Sequence, residues 1–179
     1  GDTENLDQML PLLAIRGFGQ SEDQMVPLHM AMVASAVAND GKMMKPYVIE
    51  ATFDKAGREL NRTEPEVWKM PISAETAALE TEFMVGVVES GTASCCLALD
   101  GGIQAAAKTG TAELGIVSNP DLSHAWIVAF APAEDPQFAV SVVLTDVQST
   151  QDVSATGGRL AGPIAETMLN FLLTGQGAS

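Results

Sequence analysis

Basic residues are scarce in this sequence. Nine Lys and Arg stand against 23 Asp and Glu, for a formal net charge of −14. A chain this acidic offers no cationic face to a phosphate backbone, which excludes nucleic acid as a partner. No block of about five or six like charges occurs either, so the acidity is spread over solvated faces rather than gathered in a tail. Long apolar runs are also missing. The longest, around Met30 to Ala38, falls far short of the roughly 20 residues a membrane helix needs. The opening GDTENLDQML lacks the basic start and apolar core of a secretory leader. The chain is therefore read as soluble, beginning inside a polar loop. Cysteine is nearly absent: Cys95 and Cys96 are the two in the chain. Bonding between immediate neighbours is geometrically strained, so two free thiols in a loop are expected. With no His/Cys cluster beside them, no metal site and no cofactor are expected.

What remains is a globular composition. Hydrophobic residues make up 46% of 179, enough for one domain with a real core or for a large piece of a bigger one. Pro27 to Ala38 reads as a helix, with Pro in its first turn and Leu28, Met32 and Ala36 on one face; Asn39-Asp40-Gly41 ends it. Tyr47 to Phe53 and Arg58 to Asn61 read as a hairpin around Asp54-Lys55-Ala56-Gly57. Ser73 is placed to cap a second helix bearing the stripe Leu79, Phe83 and Val87, which Ser90-Gly91 stops. Ile103 to Leu114 is a strand. Ala125 to Ala131 and Phe138 to Val147 form an antiparallel hairpin of doubly buried strands joined by PAEDPQ. After Gly157-Gly158, Leu160, Ile164, Met168 and Leu172 mark a terminal amphipathic helix. The fold class is mixed α/β, an antiparallel sheet flanked by helices.

The strand Ile103 to Leu114 carries AAAKTGTAEL, a lysine among small apolar residues. Lys-Thr-Gly alone is weak evidence, and a lysine on a strand is by default a solvated one. Its context is specific: GTA (Gly91-Thr92-Ala93) and a helix before it, two buried strands and a closing helix after it. K-T-G on such a strand is one of three elements of the active-site-serine penicillin-recognising enzymes. Together with GFGQ and VPLHMAMVASAVANDGKMMKPY near the start, GGIQAAAKTGTAE, HAWIVAFAPA, and SATGGRLAGPIA near the end, it resembles the transpeptidase domain of class B penicillin-binding proteins over nearly the whole chain. Within that family the likeness is to the actinobacterial A group.

The resemblance implies a partial penicillin-binding, serine β-lactamase-like fold over residues 1–179, and a reaction. A serine attacks the penultimate D-Ala carbonyl of a peptidoglycan stem peptide, the terminal D-Ala leaves, and an amine from a neighbouring stem takes the acyl group. β-Lactams acylate the same serine. The family's nucleophile lies in S-x-x-K and a second serine in S-x-N, and neither pattern occurs in these 179 residues. The chain is therefore expected to be the C-terminal half of the domain, inactive alone. The missing N-terminal half is its partner, and an upstream helix anchors the whole to the outer face of the cytoplasmic membrane. Val26 departs from the family's usual threonine and cannot cap the helix that follows.

By the same resemblance, Lys108 supplies positive charge and proton traffic around the second serine, and the Thr109 and Thr111 hydroxyls hold the ligand carboxylate. The Thr111 backbone N–H is one oxyanion-hole donor, and Gly110 permits close approach to a substrate lying along the strand edge. Strict alternation sets Lys108 and Gly110 on one face of the strand and the threonines on the other. One site using all four must therefore straddle an edge. Two rivals remain open: a D-Ala-D-Ala carboxypeptidase or β-lactamase of the same fold, and a non-catalytic β-lactam-binding sensor module. His124, Trp126 and the methionines Met25, Met30, Met32, Met43 and Met44 are read as packing residues, His29 as a surface or packing residue, and Glu113 as a rim carboxylate.

Overall fold

The computed structural model describes residues 6–17, 19–20, 24–114, 122–150 and 154–175. Its centre is a three-stranded antiparallel sheet in the order β5 (Ala106–Glu113), β6 (Leu122–Ala131), β7 (Phe138–Gln148). The register pairs Lys108 with Val128, Gly110 with Trp126 and Ala112 with His124. β6 is central and buried on both faces from Ile127 onward, as its unbroken Val, Ile and Ala run requires.

Helices cover both faces. On one, α4 (Gly162–Thr174) sets Ala161, Ala165 and Leu169 against Ala107, Ile127 and Ala129. On the other, α2 (Pro27–Ala38) and α3 (Ala74–Glu89) bring Ala34 and Met84 onto Ala106, Val128 and Phe130. The result is a helix–sheet–helix sandwich, the mixed α/β class expected.

Helix ends follow local chemistry. α2 begins at Pro27, with Val26 before it making no side-chain cap. It stops where Asp40 and Gly41 both turn to positive φ. α3 is capped by Ser73, whose Oγ accepts from the Thr76 N–H at 3.1 Å.

The faces these helices bury match expectation only in part: Ala36 is buried and Val87 packs against the core as expected, but much of each stripe is not. Leu28, Leu79 and Phe83 are exposed, as are Ile164, Met168 and Leu172, while Ala34, Ala36, Ala77, Met84, Ala165 and Leu169 are buried. The i, i+4 spacing holds on α4, but the buried line runs one residue later. Alanine stripes let a helix backbone approach the sheet closely, and here close packing selects them over the bulkier residues.

Other elements also depart from expectation. The chain, expected to begin inside a polar loop, forms a helix early, α1 (Leu6–Arg16); the acidic start and Pro11 hide a Leu/Ala/Ile helical run. The hairpin is real but shorter, β2 (Ala51–Phe53) against β3 (Glu59–Arg62). Asp54 organises its turn, accepting from the N–H groups of Ala56 and Arg58 and from Arg58 Nε. A small pair, β1 (Met43–Met44) with β4 (Val67–Lys69), was not anticipated. Of the methionines, Met43 is buried but Met25 is exposed, so only part of that set fills core. Among the described residues no helix is long and apolar enough to cross a membrane.

Cys95 and Cys96 are not free: they are joined by a disulfide, with Cα atoms 3.7 Å apart. The expectation rested on the strain of bonding adjacent residues, whose side chains diverge in extended chain. Residues 92–96 instead run through consecutive turns, with Ser94 N–H bonded to Gly91 O and Cys96 N–H to Ala93 O.

Candidate active site

β5 is an edge strand: β6 pairs with one side, and among the described residues no strand takes the other. Which backbone groups face the free edge can be read from their partners. Leu114 N–H donates to Leu122 O at 3.0 Å, extending the ladder toward β6. An antiparallel strand alternates residue by residue, so Lys108, Gly110 and Ala112 also address β6, and Thr109, Thr111 and Glu113 address the open edge. Two contacts agree. Thr109 O accepts from Lys108 Nζ at 2.6 Å, and Thr111 O accepts from the Gln20 carboxamide at 3.1 Å. Because a strand residue's N–H and C=O point the same way, the Thr111 N–H opens onto that edge too.

The side chains divide between the faces as alternation requires. Lys108 is exposed and lies on the α2/α3 side. There it lines an apolar groove of about 340 Å³ together with Met30, Val37, Glu80, Met84 and Val128. Thr109 lies on the α4 side, and its hydroxyl oxygen is 2.5 Å from that of Thr92. Thr111 is exposed. A site drawing on all of them does straddle the strand's edge, which resolves the tension between the two faces.

The glycines explain how tightly the α4 side closes. A Cβ on Gly158 would overlap Thr92 O, and one on Gly157 would overlap Trp126 O and meet Gly110 O at 2.6 Å. The Gly157-Gly158 turn therefore lies flat on β5, β6 and the Thr92 turn, where any side chain is excluded. At Gly110 itself a Cβ would make only ordinary contact with Trp126 Cβ, at 3.4 Å, so packing within the sheet does not demand glycine there.

Of the residues read as packing groups, His124 and Trp126 lie on β6 opposite β5, whereas His29 is exposed on α2. His124 Nδ1 accepts from the Asp146 N–H at 3.1 Å, where Asp146 takes a positive φ and the β6–β7 register slips; it is a structural histidine. Trp126 is half-buried opposite Gly110 rather than fully in the core, and Glu113 is exposed at the end of β5. Among the described residues no group of three or more His, Cys, Asp and Glu is arranged to hold a metal ion. Two contacts were missed in the sequence. Gln20 and Thr92 stand in the quoted GFGQ and GTA motifs, and nothing in a linear reading joins them to positions 91 and 17 residues away.

The fold agrees with comparisons to known proteins. The family described as penicillin binding protein transpeptidase domain matches residues 11–170, and the chain belongs to that family. It is 38% identical over 157 residues to the peptidoglycan D,D-transpeptidase PbpA of Mycolicibacterium smegmatis, covering 88% of this chain and 31% of that protein. Penicillin-binding protein 3 of Bacillus subtilis is 32% identical over 140 residues, covering 76% of this chain and 20% of that protein. Among solved structures, penicillin-binding protein A of Mycobacterium tuberculosis as its penicillin G acyl-enzyme complex superposes with a TM-score of 0.77 at 34% identity, covering 90% of this chain and 35% of that one. The chain thus spans between about a fifth and a third of the length of these relatives.

Proposed function

We propose that these residues are the C-terminal part of a serine-type peptidoglycan D,D-transpeptidase domain, and that β5 is the wall of its active site that binds ligand. The observation that carries the reading is the free edge of β5. There Thr109 and Thr111 turn their backbone groups outward, with Lys108 on one face of the strand and the Thr109 hydroxyl on the other, a set suited to a peptide that ends in a carboxylate.

In this reading an upstream segment supplies the serine. Its Oγ forms an ester with the penultimate D-Ala carbonyl carbon, the peptide C–N bond breaks, and the departing D-Ala nitrogen takes a proton. An amine from a second stem then forms the new amide, and the serine oxygen regains its proton. Lys108 holds positive charge beside this exchange, and the hydroxyls of Thr109 and Thr111 grip the terminal carboxylate. The Thr111 N–H and the serine's own N–H stabilise the developing oxyanion, a contribution of about 3–4 kcal/mol per donor in such sites. The apolar groove beside Lys108 and the exposed Leu28, Leu79 and Phe83 support a larger domain in which the remaining half covers this side. β-Lactams and stem peptides are the ligands on this account, and the cell envelope outside the cytoplasmic membrane is the working place. The names of the relatives favour a transpeptidase over a carboxypeptidase or a β-lactamase.

Incubation of the complete protein with a stem peptide ending in D-Ala-D-Ala tests this. Release of D-Ala with formation of the cross-linked dimer is expected. Release without dimer would assign the carboxypeptidase reaction instead, and no release at all would refute the reading.

A further inference from the structure

The contact between Gln20 and Thr111 bears on ligand selection at the same edge. A peptide or β-lactam lying along β5 as an added strand finds two kinds of backbone partner, the outward N–H groups and the outward carbonyls. Both outward carbonyls at the motif already have donors. Thr109 O takes Lys108 Nζ, and Thr111 O takes the Gln20 side-chain amide at 3.1 Å, from a residue 91 positions earlier. The Lys108 contact is to the carbonyl of the next residue, which a long flexible side chain makes for want of better and releases readily. The Gln20 contact is different. It comes from a separate segment, which precedes α2, and it uses a primary carboxamide. That carboxamide presents to Thr111 O the same planar N–H that a ligand's backbone or acylamino group would present.

We propose that Gln20 is a specificity-determining residue, whose carboxamide stands in for the ligand amide at Thr111 O. A ligand amide N–H that approaches in the plane of the strand competes with Gln20 for the outward side of that acceptor. A ligand without one leaves the contact undisturbed and gains the other features of the edge in full. Gln20 therefore lowers the advantage of amide-bearing ligands and narrows the gap between the two kinds. The inference rests on the transpeptidase reading of this edge.

The test uses the complete protein and two acylating probes. Penicillin G carries an acylamino N–H; imipenem carries a hydroxyethyl group and no amide N–H at that position. Second-order acylation rates are measured for the parent, Gln20→Ala, and Gln20→Met, which keeps the reach of the side chain without a donor. Removing the competitor should speed penicillin G acylation about three- to tenfold in both variants, the scale of one exposed neutral hydrogen bond, and leave imipenem within about twofold. A structural prop would behave otherwise, slowing both probes together. Slowing of both, or no change in either, overturns this inference while leaving the site intact. A parent that neither probe acylates overturns the reading of the site and the inference with it.

Discussion

Thr92 and Thr109 share a hydrogen bond between their hydroxyls, with the oxygens 2.5 Å apart. A hydroxyl has one proton to give and two lone pairs to receive. If Thr109 is to donate to a ligand carboxylate, its proton must be free, so Thr92 must be the donor in their mutual bond. The turn after α3 thereby fixes the direction in which Thr109 donates.

Replacing Thr92 by valine removes that donor and keeps the shape. In the complete protein, Thr92→Val should slow penicillin acylation about tenfold, because Thr109 loses its orienting partner and a half-buried hydroxyl is left unpaired. Thr92→Ser restores the hydroxyl and should recover most of the rate. A parental rate in Thr92→Val with a loss in Thr92→Ser, measured as second-order acylation rates, would show that only the packing of the threonine methyl matters.

The flat Gly157-Gly158 turn makes a stability prediction. Gly158→Ala would drive a methyl group into Thr92 O, so either the turn lifts from β5 or the Thr92 segment shifts. Urea unfolding should show a loss of at least about 2 kcal/mol, the scale of an overpacked core site. Gly101, which has a positive φ but open space around its would-be Cβ, serves as the comparison: Gly101→Asn should cost less, since asparagine tolerates that backbone region.

The disulfide between Cys95 and Cys96 gives a direct chemical prediction. Thiol titration of the denatured, unreduced protein should find no free thiol from this pair, and two after reduction. Two thiols before reduction would contradict the bond.

How much of this was legible in the sequence depends on how local the signal was. The bounds of α2, the Ser73 cap and the long β6–β7 hairpin could be read because each is written in neighbouring residues: a proline or serine at the start, turn residues at the end, a Val/Ile run between. The buried faces could not. Ala34 on α2, Met84 on α3, and Ala165 with Leu169 on α4 meet the sheet while Leu28, Phe83 and Ile164 stay outside. A reading that weighs side chains by hydrophobicity picks the larger residue, whereas close approach of helix to sheet rewards the smaller one. The edge position of β5 was inferred only as a way to reconcile Lys108 with the threonines. The contacts of Thr92 and Gln20 needed the folded chain, since each joins segments remote in sequence.

The central claim is that Lys108 acts at the β5 edge on the chemistry and not on the fold. The most direct measurement is the second-order rate of penicillin acylation of the complete protein carrying Lys108→Ala, taken beside its unfolding free energy. The side chain is exposed, so stability should stay within about 1 kcal/mol of the parent. The rate should fall by about 100-fold or more, since a positive charge is lost from the ligand-binding edge. Thr111→Ala should fall less, about tenfold, because its backbone N–H remains. A Lys108→Ala protein that acylates at the parental rate, or that fails only because it is unfolded, would contradict the account.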